Sequence, residues 1–229
     1  MQRILLTAFE PYEGWSENSS WLAMVELTRW LDSAATVVTR RYPVDLRVAS
    51  DRLRKDLLGR YDYAIHLGQS PQTPVIALES TGLNLWNDNE PLVPGAPAAY
   101  QTRLPLLQMR DELRAAGIPA AVSHHAGTYL CNALLYLSQH FSAQLHLPTR
   151  SAFIHLPLAP QQVAQAGLSL PSCDVALMSQ AIAAIIRRLE TASEQVSAYP
   201  FVDWLSRHAL ACGSLLIGSA ATRWRAVPC

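Results

Sequence analysis

Short apolar runs alternating with stretches of helical period predict an α/β fold. The expected architecture is three layers, helix–sheet–helix, around a mostly parallel, twisted central sheet. Three observations carry this. The chain has 229 residues, 50% of them hydrophobic, which suffices for one sizeable core without a disulfide staple. Its 15 prolines and 10 glycines are dispersed rather than clustered, against a disordered or fibrous chain. Strand-like and helix-like segments follow one another without a repeat or dividing linker, so residues 1–229 read as a single α/β domain.

The elements follow in order. Ile4 to Phe9 is a strand, then Ser19 to Leu31 a helix that Asn18 or Ser19 caps, with Trp21, Leu22, Val25 and Leu31 on one buried stripe. Thr36 to Val44 is a second strand, broken by Pro43, and Val48 to Leu58 a charged helix with Leu53, Leu57 and Leu58 inward. Tyr63 to Gly68 and Val75 to Leu78 are strands. The Pro/Gly/Asn-rich stretch Thr81 to Thr102 has little periodicity and reads as a long functional loop. Pro105 to Ala116 is a helix, with Pro105 suited to its first turn and Gly117 ending it. Ile118 to Ser123 is a strand, Thr128 to Phe141 a helix, Ala152 to Leu158 a strand and Asp174 to Ala192 a long helix. Beyond Tyr199 an apolar segment, Leu210 to Ile217, packs back or meets a partner.

Composition excludes several functions. Eighteen basic and 18 acidic residues balance, whereas phosphate-neutralising proteins carry a positive excess, so no nucleic-acid partner is expected. No run reaches the length of a membrane span, and Glu10 ends the apolar N-terminal run too early for a secretory signal. A cytoplasmic location follows, where Cys131, Cys173, Cys212 and Cys229 are free thiols. None forms a C-x-x-C pair, so no metal site is indicated. The phosphate-loop, dinucleotide, serine-elbow and zinc-protease motifs are absent, and no cofactor is implied.

In open α/β sheets, ligands gather at the carboxyl ends of strands, where three polar residues stand out. Cys131 follows the strand Ile118–Ser123 and falls in or just before the first turn of the next helix. Dipole and backbone N–H groups there favour a thiolate and can stabilise an oxyanion; the alternative is an inert buried cysteine. His155 interrupts an apolar strand and suits a base for Cys131, or a core histidine bonded to a carbonyl. Glu79 ends another strand and can orient an imidazole, or is an ordinary strand-end acid. His124 and His125 are adjacent, so at most one points toward Cys131; His66 reads as a packed or loop-bonding residue.

Ala126-Gly127-Thr128-Tyr129-Leu130-Cys131-Asn132 resembles the A-G-T-[FY]-[VL]-C-N nucleophile motif of the pyroglutamyl peptidase I family of cysteine peptidases. Phe153-Ile154-His155-Leu156-Pro157 is similar to that family's histidine motif, and Thr7 to Tyr12 with Gly14 and Asn18 to its opening motif. His66-Leu67-Gly68 through Ile76-Ala77-Leu78-Glu79 and Asn84 matches the glutamate segment. The likeness covers roughly residues 1–195, leaving 196–229 as a divergent C-terminal tail, and implies one hydrolytic domain.

The resemblance implies metal-free removal of an N-terminal pyroglutamyl residue from peptides. Cys131 would attack, His155 exchange protons and Glu79 orient His155, while Phe9, Tyr12, Val44, Tyr129 and Leu130 would hold the flat lactam by dispersion and stacking. Tyr12 stands where the family has Phe. Pro71-Gln72-Thr73 replaces a Gly-Gly-Arg, Ser80 an arginine, and Leu85 to Pro91 a longer segment whose arginine helps form the oxyanion site. Arg103 is a candidate substitute. Two other readings keep the same residues: an amidase acting on a small cyclic amide, and an idle paralogue that binds blocked peptides. Family members often form homo-oligomers, which the apolar tail would extend.

Overall fold

The computed structural model describes residues 2–31, 36–87 and 90–195. The expected tail, with Cys212 and Cys229, lies outside them. A six-stranded sheet forms the centre, in the order β2 (Thr36–Tyr42), β1 (Arg3–Phe9), β3 (Tyr63–Gln69), β8 (Arg150–Leu156), β4 (Ile76–Glu79), β7 (Ala120–Ser123). All neighbours pair in parallel except β4 and β8, which run antiparallel. The sheet is therefore mixed but mostly parallel.

Strand period divides the core into two faces. On one face Ile4, Leu6, Ala8, Ile65, Leu67, Ile154 and Leu156 meet α1 (Ser19–Glu26), α3 (Leu106–Ala115) and α6 (Val175–Gln195). On the other, Leu5, Phe9, Ala64 and Phe153 meet α2 (Leu46–Leu57) and α4 (Leu130–Gln144). Of the two expected caps it is Asn18 whose side chain accepts from Ser20 N–H at 3.0 Å. Asp45 caps α2 by accepting from Val48 N–H at 2.8 Å. Each such cap satisfies an amide that the helix leaves unpaired.

Several expectations need correction. Val25 is 51% exposed, because α1 is short and buries Ala23 and Met24, followed by Leu27 in a 3₁₀ turn. Leu58 is 61% exposed, since α2 closes at Leu57 and the chain turns outward. The stretch Thr81 to Thr102 carries a small hairpin, β5 (Thr81–Leu83) with β6 (Ala99–Gln101). A Cβ on Gly82 would lie 2.6 Å from Tyr136 N, so only glycine lets this hairpin press on α4. A helix not anticipated, α5 (Pro160–Ala166), starts with a proline and ends at Gly167 with φ 64°.

Candidate active site

Cys131 is the second residue of α4, whose N-cap position is held by Tyr129. The amides of Leu130, Cys131 and Asn132 belong to the first turn, where an α-helix supplies no internal acceptor. No acidic residue lies in that turn to compete for their positive dipole end. The sulfur lies over β3: a Cβ on Gly68 would come 3.2 Å from Cys131 Sγ and 2.5 Å from Phe153 Cζ. Glycine at this rung is what admits both the thiol and the ring.

His155 sits beside Gly68 in the β3–β8 register. Glu79 reaches it by a route that the sequence did not indicate. Because β4 runs antiparallel to β8, Ala77 pairs with His155 and Glu79 with Phe153. Two residues on from Ala77, Glu79 shares its face and is the diagonal neighbour of His155. The result is a 2.8 Å contact between Glu79 Oε1 and His155 Nδ1, with Glu79 only 2% exposed. Cys131 is the ring's other polar neighbour. Burial alone would lower the pKa of His155, but charge and hydrogen bonding from Cys131 and then Glu79 outweigh it and push it up to about 10. The imidazole is thus held protonated between a sulfur and a carboxylate.

Cys131 also lines a cavity of about 60 Å³ with Phe9, Tyr12, Asn18, Val44, Gln69, Tyr129 and Leu130. One water needs roughly 10–15 Å³ on this measure, so the space matches several waters, or one small ring. All five residues expected to contact a ligand are therefore brought around the thiol. Cys131 apart, none of these lining residues is an acid or a base that is charged near neutral pH. Tyr12 stays a neutral phenol, since burial, then the charge of Cys131 and Glu13, push its pKa to about 12. One wall is braced from outside, where Trp86 stacks on Tyr129 with ring centres 4.9 Å apart.

A model of the pyroglutamyl peptidase family matches residues 2–195. The chain belongs to that family. It is 36% identical over 173 residues to the pyrrolidone-carboxylate peptidase of Pyrococcus furiosus, covering 70% of this chain and 83% of the relative. A pyrrolidone-carboxylate peptidase 1 of Ralstonia nicotianae is 38% identical over 179 residues, covering 72% and 82%. The solved structure of the pyrrolidone carboxyl peptidase from Thermococcus litoralis superimposes with a TM-score of 0.76 at 31% identity, covering 85% of this chain and 96% of that one.

Two side chains whose roles the sequence did not indicate brace the surroundings of the site in this pyroglutamyl peptidase family member. Asn132, next to Cys131 and fully buried, accepts from Leu83 N–H at 2.7 Å and donates to the carbonyls of Leu83 and Leu85, both at 3.0 Å. It ties the segment after Glu79 to the start of α4. Gln69 ends β3; its Oε1 accepts from Ser19 N–H and from Gln162 Nε2, each at 2.8 Å. Its amide nitrogen is buried without a partner among the described residues. The position of Gln69 at a strand's carboxyl end was the available signal.

Other candidates fall elsewhere. Arg103 lines a separate cavity with His146 and Arg150, not the one that Cys131 lines. His124 Nδ1 bonds Ser80 Oγ at 2.7 Å, and His125 Nδ1 accepts from Gly127 N–H at 3.2 Å. Of the two readings of His66 the packed one holds: it is fully buried in β3 beside Thr7 Oγ1, 2.8 Å from its Nδ1. Among the described residues no cluster of His, Cys, Asp or Glu could hold a metal ion, and no helix is long and apolar enough to cross a membrane.

Proposed function

We propose that this enzyme removes the N-terminal pyroglutamyl residue of peptides, with Cys131 as nucleophile, His155 as acid and base, and Glu79 as the residue that positions His155. The observation that carries this is an imidazole bonded to a buried carboxylate and neighbouring a helix-start thiol, the thiol itself lining a small cavity of mostly apolar walls. An ordinary peptide N-terminus is an ammonium and would need a counter-charge that the walls of this cavity, away from the reacting sulfur, lack. A lactam is neutral and flat, gains dispersion between Phe9, Tyr12 and Tyr129, and offers its ring oxygen to the unpartnered amide of Gln69.

The thiolate attacks the pyroglutamyl carbonyl, and the first-turn amides of α4 receive the developing oxyanion. With Nδ1 held by Glu79, His155 gives its Nε2 proton to the departing amine as the C–N bond breaks. The thioester left on Cys131 is hydrolysed by a water that His155 deprotonates, which releases pyroglutamate and regenerates the thiol. Such a thiol needs the reducing cytoplasm, and the balanced charge supports a peptide or small cyclic amide rather than nucleic acid as partner.

The test is fluorophore release from a pyroglutamyl amide. Cys131→Ala should lower kcat/KM on the order of a thousand-fold or more with the fold intact. Retained activity would remove Cys131 from the mechanism, and no release by folded wild-type enzyme would move the substrate to another cyclic amide.

A further inference from the structure

Two spaces flank the thiol–imidazole pair. Cys131 lines the uncharged cavity; His155 and Glu79 do not. They line an open cleft of about 540 Å³ on the other side, together with Ser70, Thr73, Ser123 and His125. A leaving amine that takes its proton from His155 departs on the side of that ring. The chain attached to this amine therefore runs into the cleft.

The cleft has a definite polarity. Gly127 N–H donates to His125 Nδ1 at 3.2 Å, so in the neutral ring the proton sits on Nε2, which is a donor. Ser123 Oγ fixes the same turn by accepting from His125 N–H at 3.3 Å. The His125 side chain is exposed, so its donor is open to a ligand. Among the described residues the one acid in the lining is Glu79, which is buried and bonded to His155. Donors and a protonated imidazole thus face a space with no competing free carboxylate.

We infer that this cleft is the site for the residue that follows pyroglutamate, and that His125 selects peptides whose second side chain carries an acceptor oxygen over aliphatic ones. The inference rests on the pyroglutamyl reading above and extends it to the other half of the substrate. Asparagine and leucine side chains have nearly the same shape, so they isolate the acceptor from bulk.

The experiment compares kcat/KM for pyroglutamyl-asparaginamide and pyroglutamyl-leucinamide in wild type and in His125→Ser, with a pyroglutamyl arylamide alongside. Serine keeps a hydroxyl that can accept from Gly127 N–H, so the turn before Cys131 is preserved while the ring is removed. Wild type should favour the asparaginamide about ten-fold, the effect of one good hydrogen bond, chiefly through KM. In His125→Ser that ratio should fall to about two-fold or less. A wild-type ratio near unity, or a ratio unchanged in His125→Ser, would sink the assignment of the cleft; an equal loss on both amides counts as unchanged and would make His125 a prop for the nucleophile loop. If wild type turns over neither amide nor the arylamide, the pyroglutamyl reading itself fails and takes the cleft assignment with it.

Discussion

Two histidines stand on the same face of the sheet, on adjacent strands and two rungs apart, yet the protein drives them in opposite directions. His66 on β3 pairs with Phe153, and His155 on β8 pairs with Gly68. The Phe153 ring lies against both, 6.5 Å from His66 and 4.9 Å from His155 between centres. Burial pushes the pKa of His66 down to about 3, and its hydrogen-bond partner is the neutral hydroxyl of Thr7. Burial acts on His155 too, but Cys131 and Glu79 reverse it and lift the pKa to about 10. Depth in the sheet does not decide the charge of an imidazole; what stands beside it does.

The largest expected effect separates the two rings by activity. His155→Ala should lower kcat/KM by about a thousand-fold or more, whereas His66→Asn should stay within a few-fold while lowering the melting temperature. Comparable kinetic losses in both would erase the distinction. Next comes Glu79→Gln, which keeps the shape but removes the charge; a loss of about a hundred-fold or more is expected. The pH profile sharpens it. A carboxylate favours the protonated ring, so wild-type activity should persist until pH passes about 10, and the alkaline fall in Glu79→Gln should begin at lower pH. An unmoved alkaline limb would mean that Glu79 does not act through His155.

The smallest effect is on stability. His66 binds a proton more weakly folded than unfolded, so its contribution is present above pH about 6.5 and is lost as pH falls toward about 3. Denaturant midpoints should fall as pH drops through that window, and the fall should be absent in His66→Asn. His155 has the opposite sign: its contribution is complete below about 6.5 and is lost as pH rises through about 10. An acid limb identical in His66→Asn and wild type would show that His66 is not the group being titrated.

Much of the framework was legible because it depends on period. The short, near-continuous apolar runs of β1, β3 and β8, buried on both faces, and the helical stripe of α2 are local properties, and α/β layering follows from them. Strand direction is not local, so nothing in Val75 to Glu79 announced that β4 opposes β8. That reversal decides how Glu79 meets His155. Cys131, Glu79 and His155 could be grouped by motif, and Asn132 lay inside the same motif, yet its three bonds to Leu83 and Leu85 depend on a hairpin of three-residue strands too short to show a period. Pro160 and Gly167 did mark α5, whose Gln162 holds Gln69. The signal there was end chemistry rather than hydrophobicity.

The ladder position of the acid–base pair bears on how the enzyme fails. β8 is an interior strand, paired with β3 on one side and β4 on the other, so His155 and Glu79 are rungs of the sheet rather than tips of a loop. Amide exchange in proteins proceeds through openings that range from fraying segments to the whole cooperative unit, and interior strands open last. No cheap fluctuation can part this histidine from its carboxylate. Inactivation by heat then reports the melting of the sheet itself, and a partly unfolded molecule that has lost only its outer segments keeps its proton relay in register.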